Sequence, residues 1–499
     1  MNKTPSLPLK RIVIAGGGTA GWMAAAAIAK TLGKVASVAL IESEQIGTIG
    51  VGESTIPPLV RYNQLLDINE ADFMRATKAT FKVGINFENW KDIGHTYFHS
   101  FGLTGRDHWT SGFQHFWLRG VREGLTAEYG EYCLEVAAAH ALKFAQLPDQ
   151  LMNYSFHIDA GRYAKFLREL AEKNGAVRHE GKIENVNLNA ETGMIESLTL
   201  DGDRTIAGDL FVDCTGFRAL LIGKALDVGY EDWSRYLPCD AAIAVQTRSA
   251  RPPPPYTRAM AHDAGWQWRI PLQHRTGNGI VYCSAFLERD EAQRRLLSGL
   301  EGETLIEPNF IRFQAGARRK QWFKNCIAVG LSSGFLEPLE STSIHLIQRS
   351  VLRLLRMMPF GDVREADVDE FNEQADTDME QIRDFLILHY NATNRDDSAF
   401  WRQCRTMEIP DTLRHKIELF RQTGIVFRKN EELFQENSWV QVMMGQGIMP
   451  ESYHPIAHKM SEEELTKFLG MIRANVTKTV AALPSHEDYV RQYCGASDA

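Results

Sequence analysis

Apolar residues in this chain recur in two rhythms, and their alternation predicts the architecture. Ile12-Val13-Ile14-Ala15 and Val38-Ala39-Leu40-Ile41 are short unbroken apolar runs, as expected of strands covered on both faces. Between them Gly16-Gly17-Gly18-Thr19-Ala20-Gly21 breaks the pattern, and Trp22 to Lys30 is alanine-rich and helical in spacing. Strand, glycine turn, helix and strand in that order predict a βαβ unit with parallel strands. Two later runs have the same character: Leu210-Phe211-Val212-Asp213-Cys214 and Cys326-Ile327-Ala328-Val329-Gly330, each entering a loop. Residues 60–150 read as mostly helical and aromatic-rich. Mixed α/β pattern returns with a strand at 156–159, a helix at 162–174 and alternating strands to about 210. The run from Pro252 to Pro255 is a rigid connector in polyproline geometry. From 341 onward apolar residues fall at helical spacing. There are no internal repeats and no low-complexity tail.

Size and charge narrow the class. At 499 residues the chain exceeds what one hydrophobic core usually organises, so two or more modules are expected. Its 55 basic and 63 acidic residues sum to −8 without a basic block, which argues against nucleic acid or an anionic membrane surface as partner. No apolar run approaches the roughly 18 residues that span a bilayer. The apolar stretch after Lys10 and Arg11 is explained by the first strand and is not read as a signal peptide. Seven cysteines (133, 214, 239, 283, 326, 404 and 494) are dispersed and form no Cys-x-x-Cys. Reduced thiols in a cytoplasmic protein without a metal site are expected.

The first turn carries the first chemistry. Gly16, Gly18 and Gly21 spell Gly-x-Gly-x-x-Gly. Such glycines permit a tight turn and a close backbone approach to a pyrophosphate, and the helix N-terminus adds positive potential. Thr19 and Ala20 lie in that loop. Glu42 closes the second strand 21 residues after Gly21, where a carboxylate accepts hydrogen bonds from an adenosine ribose. The glycine-rich stretch 47–57, with Gly52 and Ser54, and the strand ends at Asp213 and Gly330 complete the expected cofactor contacts. No second Gly-x-Gly-x-x-Gly is present for a nicotinamide dinucleotide.

Trp266 and Trp268 lie at i and i+2, so in an extended segment both face one side as a flat double-aromatic wall. Pro271 keeps Ile270 extended. A strand with large core side chains is the alternative reading. Beside a dinucleotide loop, however, Trp266-Gln267-Trp268-Arg269-Ile270-Pro271 resembles the Trp-x-Trp-x-Ile-Pro motif of flavin-dependent halogenases. Over nearly its whole length the chain is similar to the tryptophan-halogenase family. The resemblance implies an α/β fold: a Rossmann-like FAD-binding module of the aromatic-monooxygenase type (1–90 and 151–345), interleaved with a mainly helical substrate module (91–150 and 346–499). It implies reduced FAD from a separate flavin reductase, O2 and a halide, bromide or chloride, which is oxidised to hypohalous acid beside the tryptophan wall.

The family's essential lysine falls on Lys82 in Thr80-Phe81-Lys82-Val83-Gly84, where it guides the oxidant as a hydrogen-bond donor or a transient haloamine; burial would lower its pKa. A surface lysine on a helix is the alternative. Glu340 matches the acid/base carboxylate through its Glu-Ser-Thr order; Glu337 is its neighbour, and decoration of a helix end is the competing reading. Halide binding falls on Thr342 and Ser343 at the start of a helix over 341–355, although many members have glycine where Ser343 stands. His99 and Phe101 match positions that sandwich an indole, and Trp439 is a further stacking residue; ordinary core packing is the alternative. No tyrosine and glutamate clamp for an amino acid is evident, and the chain is shorter than typical tryptophan-specific members. Indole or another electron-rich arene is therefore expected as substrate ahead of free tryptophan, with no nucleic acid or membrane partner and a homodimer left open. An aromatic hydroxylase and a non-catalytic flavin-binding protein remain the readings from other classes.

Overall fold

The computed structural model describes residues 11–46, 53–126, 128–359 and 361–494. Its apolar runs assemble a six-stranded sheet in the order Trp322–Phe323, Cys326–Ala328, Leu210–Asp213, Arg11–Ala15, Ser37–Glu42 and Val177–Glu180. All neighbours run parallel except the edge pair Trp322–Phe323 and Cys326–Ala328. The register sets Ala15 beside Ile41 and Asp213, and Asp213 beside Ala328. Four carboxyl ends therefore finish side by side, the edge at which open α/β sheets bind ligands. The Thr19–Leu32 helix lies against this sheet, buried from Gly21 to Ala29. Its alanines let the Ala160–Lys173 helix pack closely on it. That second helix starts two residues before the sequence suggests, because Asp159 caps it by accepting from Arg162 N.

A seven-stranded sheet runs Asn309–Arg312, Ala241–Thr247, Thr276–Tyr282, Gly265–Pro271, Thr257–His262, Gly84–Glu88 and Thr96–Ser100. Only Thr257–His262 and Gly84–Glu88 pair in parallel. The core on one face of this sheet includes Trp266 and Trp268 and the apolar side of the 27-residue helix Glu365–Asn391. A small third sheet joins Glu53–Ser54, Ser155–Ile158 and Thr80–Lys82.

The 60–150 stretch departs from its helical expectation. It contains the helices Pro58–Leu65, Glu70–Thr77, Phe113–Arg122 and Leu134–His140, but also three strands between Thr80 and Ser100. The first is three residues long and pairs Lys82 with Ser155; the second pairs Ile85 with Thr257. Runs so short carry little periodicity, and their partners are remote in sequence. Among the described residues no helix is long and apolar enough to cross a membrane. All seven cysteines are buried and unbonded.

Candidate active site

The glycine turn is shaped by what cannot fit there. Gly16 has φ +107°, and a Cβ on it would lie 2.2 Å from the Cys214 carbonyl oxygen; one on Gly21 would lie 1.8 Å from Gly16 O. Gly18 differs. A Cβ there meets nothing within 4 Å, and no side chain caps the helix that begins after it. The first-turn N–H groups at Thr19, Ala20 and Gly21 thus have no side-chain cap, as a helix end that receives a pyrophosphate requires. Glu42 lies across the loop, 1.6 Å from where a Gly17 Cβ would stand. It accepts from Trp22 Nε1 (3.3 Å) and Arg178 Nε (2.6 Å). These residues fit a dinucleotide cofactor.

Asp213 is engaged by groups of the chain itself. Oδ1 accepts from Thr215 N, Thr215 Oγ1 and Ser332 Oγ at 2.7–3.0 Å, and Oδ2 from Leu221 N and Ile222 N at 2.9 Å. It fastens two loops at the carboxyl edge of the sheet. Gly330, φ +70°, brings one of them so close to the glycine-turn helix that a Cβ would sit 2.9 Å from Ala20 Cβ. Ser54 Oγ pairs with Thr257 Oγ1 at 2.7 Å. Gly52 lies outside the described residues.

Lys82 is fully buried on its short strand rather than exposed on a helix. Its Nζ donates to Thr55 O (3.1 Å) and Ser341 Oγ (2.9 Å) and stands 4.9 Å from the Phe101 ring centre. Burial pulls its pKa down to about 7, with Glu340 opposing the shift. Ammonium and free amine therefore coexist near neutral pH.

Glu337 and Glu340 flank the turn Pro338–Glu340, and both are buried. Glu337 Oε2 accepts from Trp266 Nε1 (2.9 Å) and Tyr390 OH (2.6 Å). Glu340 Oε2 lies 2.8 Å from His99 Nδ1, and Oε1 lies 2.8 Å from His389 Nε2 in a contact too bent for a linear hydrogen bond. Burial pushes this carboxyl up, but His99 and His389 outweigh it and hold it near about 2. Ser341 follows in the left-handed region, φ +61°. The helix Ser343–Arg356 then starts at Thr342 without a side-chain cap, and Thr342 Oγ1 is buried without a partner. The helix end is thereby left open to an anion.

Several expectations take a different form. Trp266 and Trp268 share one face, but their rings are 6.1 Å apart and inclined at 58°, because Trp268 packs over Gly279 and Trp266 is held by Glu337; they form a folded rather than a flat wall. His99 directs Nδ1 to Glu340. Phe385 lies against both His99 (5.5 Å) and Trp439 (4.8 Å), and Trp439 is 1 % exposed with its indole N–H on Glu432. Phe101 is the partly exposed member of the three. The residue missed from sequence is His389. A polar tip inside the buried apolar run from Phe385 to Tyr390 requires partners, and that was the available signal.

A glycine turn fit for a dinucleotide at a parallel-sheet edge, in a chain that also buries a lysine near a carboxylate, is the arrangement of a flavoprotein oxidoreductase. The tryptophan halogenase family profile matches residues 11–462. A flavin-dependent halogenase from Xanthomonas campestris is 55% identical, with 99% of this chain and 100% of that one covered at a TM-score of 0.97. Another from Brevundimonas sp. BAL3 is 44% identical, covering 97% and 99% at a TM-score of 0.93. Tryptophan 6-halogenase ThaL from Streptomyces albogriseolus is 35% identical over 98% of this chain and 99% of its own. The chain belongs to the tryptophan halogenase family and is a flavin-dependent halogenase.

Proposed function

We propose that this enzyme brominates an electron-rich arene, indole ahead of free tryptophan, with hypohalous acid guided by Lys82. The observation that carries the reading is the buried Lys82 Nζ, lowered toward neutral pH and hydrogen-bonded to the serine that directly follows Glu340. Bound FAD, delivered reduced by a separate reductase, would supply the electrons with which O2 oxidises halide to hypohalous acid. The N–H groups at Gly18, Thr19, Ala20 and Gly21 would hold its pyrophosphate, Glu42 its ribose, and the loops fastened by Asp213 and Gly330 would wall the site, with Ser54 on the far side.

The N–H groups of Thr342 and Ser343 receive the halide at the open helix end. Lys82 then holds the hypohalous acid, as ammonium donating to its oxygen or as amine accepting its halogen. Phe101 presents an arene face beside Nζ. Electrophilic bromine bonds to C3 of indole, the most reactive carbon, as the Br–O bond breaks, and the hydroxide takes a proton from the Lys82 ammonium and leaves as water. The ring proton passes to Glu340. A carboxylate near pKa 2 is a weak base, but a protonated arene is a strong acid, so its main contribution is fixed negative charge beside the cationic ring. The relatives named tryptophan 6- and 7-halogenases support an indole ring as substrate. Indole alone avoids burying an ammonium and a carboxylate without partners. Bromide is favoured because it is more easily oxidised than chloride.

The test supplies purified protein with FAD, a flavin reductase, NADH, air, bromide and either indole or tryptophan, with mass spectrometry of products. Brominated indole in excess over brominated tryptophan is expected, and none with the reductase omitted. Hydroxylated indole lacking bromine would remove indole as the halogenated substrate. Efficient halogenation of tryptophan at one carbon would show that a clamp exists.

A further inference from the structure

We propose that His389, backed by Tyr97, is a positioning residue for Glu340, holding the carboxylate oxygen that His99 leaves free; this rests on the halogenation reading above. His389 is fully buried on the Glu365–Asn391 helix. Its Nε2 lies 2.8 Å from Glu340 Oε1, and its Nδ1 lies 2.7 Å from Tyr97 OH. The ring cannot swing freely. It stacks on Phe87 at 4.5 Å and 18°, with the edges of Phe385 and Trp90 against it. Tyr97 stacks on the same Phe87 at 4.9 Å and 3°.

The hydrogen-bond directions follow. Glu340 as a carboxylate can only accept, so the His389 proton facing it lies on Nε2 and Nδ1 accepts from the Tyr97 hydroxyl, which burial, with Glu340 nearby, keeps protonated by holding it well above its ordinary range. Burial also lowers His389, with Glu340 opposing, which favours the neutral ring. A neutral ring accepting at Nδ1 carries its proton at Nε2, facing Glu340. Four titratable groups therefore act on this carboxylate: His99 and Tyr97 from the Thr96–Ser100 strand, Lys82 from its own strand, and His389 from the helix. His389 is held by packing on several sides. Without it Oε1 loses the one polar group facing it in a dry site, the carboxylate is free to turn, and its proton affinity rises.

The experiment compares wild type with His389→Leu, His389→Gln and Tyr97→Phe. Bromination of indole is followed against pH with excess reductase, hypobromous acid is captured separately by monochlorodimedone, and bound FAD is read by absorbance. For His389→Leu, kcat is expected to fall at least about tenfold while KM for indole, hypobromous acid output and FAD binding stay near wild type, and the acid limb of kcat should move to higher pH. His389→Gln, which restores an N–H near the same place, should recover most of the rate and the original limb. Tyr97→Phe should fall between, and it carries the pH readout if His389→Leu does not fold. Equal losses in the Leu and Gln variants, or an acid limb that stays put in both His389→Leu and Tyr97→Phe, would reduce His389 to packing. Nitrogen-15 spectra of histidine-labelled protein test the contact apart from turnover: an Nε2–H ring at neutral pH is expected, and an Nδ1–H tautomer there would overturn the proposal. Wild type that yields no brominated indole while the spectra hold would instead defeat the reading of indole bromination alone.

Discussion

Glu337 and Glu340 lie on one turn, three residues apart, both sealed from water, and their surroundings drive them in opposite directions. Glu337 receives an indole N–H and a phenol O–H, both uncharged, and burial lifts it to about 7. Glu340 sits between His99 and His389, with Lys82 nearby, and is held at about 2. Sequence spacing cannot separate two such carboxylates; partner chemistry does. Glu337 ties Trp266 to Tyr390, and so braces the tryptophan wall. Glu340 is the fixed negative charge available to a reaction.

Lys82→Ala gives the largest effect expected of any change around this turn. Brominated indole should fall at least about a hundredfold, while FAD binding and hypobromous acid capture persist. Normal bromination would show that Glu340 works without the lysine and would dissolve the pairing on which its role rests.

Linkage then separates the two acids by sign. Glu337 has a folded pKa above its unfolded value, so its contribution is fully present below about pH 4.5 and is lost as pH rises through about 7. Relative to Glu337→Gln, wild type should lose roughly 3 kcal/mol across that window. Glu340 has a lowered folded pKa; its contribution is present above about 4.5 and is lost as pH falls toward about 2. Denaturant unfolding of both Gln variants against wild type measures the two slopes. Slopes of the same sign would mean that the environments do not differ as the hydrogen bonds indicate.

A smaller effect is expected at Phe101, whose ring lies under Lys82 Nζ. Phe101→Leu should raise KM for indole about threefold with kcat little changed. A large kcat loss instead would make the ring part of the lysine's positioning.

The cradle was legible in sequence because it is local. Strand, glycine turn, helix, strand and Glu42 occupy one short continuous stretch, and each element has its own apolar rhythm. Lys82 and Glu340 were singled out through motif context, although the strand bearing Lys82 was not, since three residues show no period and the pairing with Ser155 reaches across intervening strands and helices. The environment of Glu340 was hidden for the same reason. His99 stands 241 residues from it and was read as a substrate contact, while His389 looked like part of an ordinary helix. Trp266 and Trp268 were read as coplanar because period two fixes a shared face but leaves ring inclination to packing.

The most direct measurement is brominated indole formed per hypobromous acid produced, in Glu340→Gln and Glu337→Gln side by side at neutral pH. Loss of the fixed charge should lower the ratio about ten- to a hundredfold in Glu340→Gln, and Glu337→Gln should stay within about threefold of wild type. Equal losses in the two variants, or an undiminished ratio in Glu340→Gln, would contradict the assignment of Glu340 to the reaction.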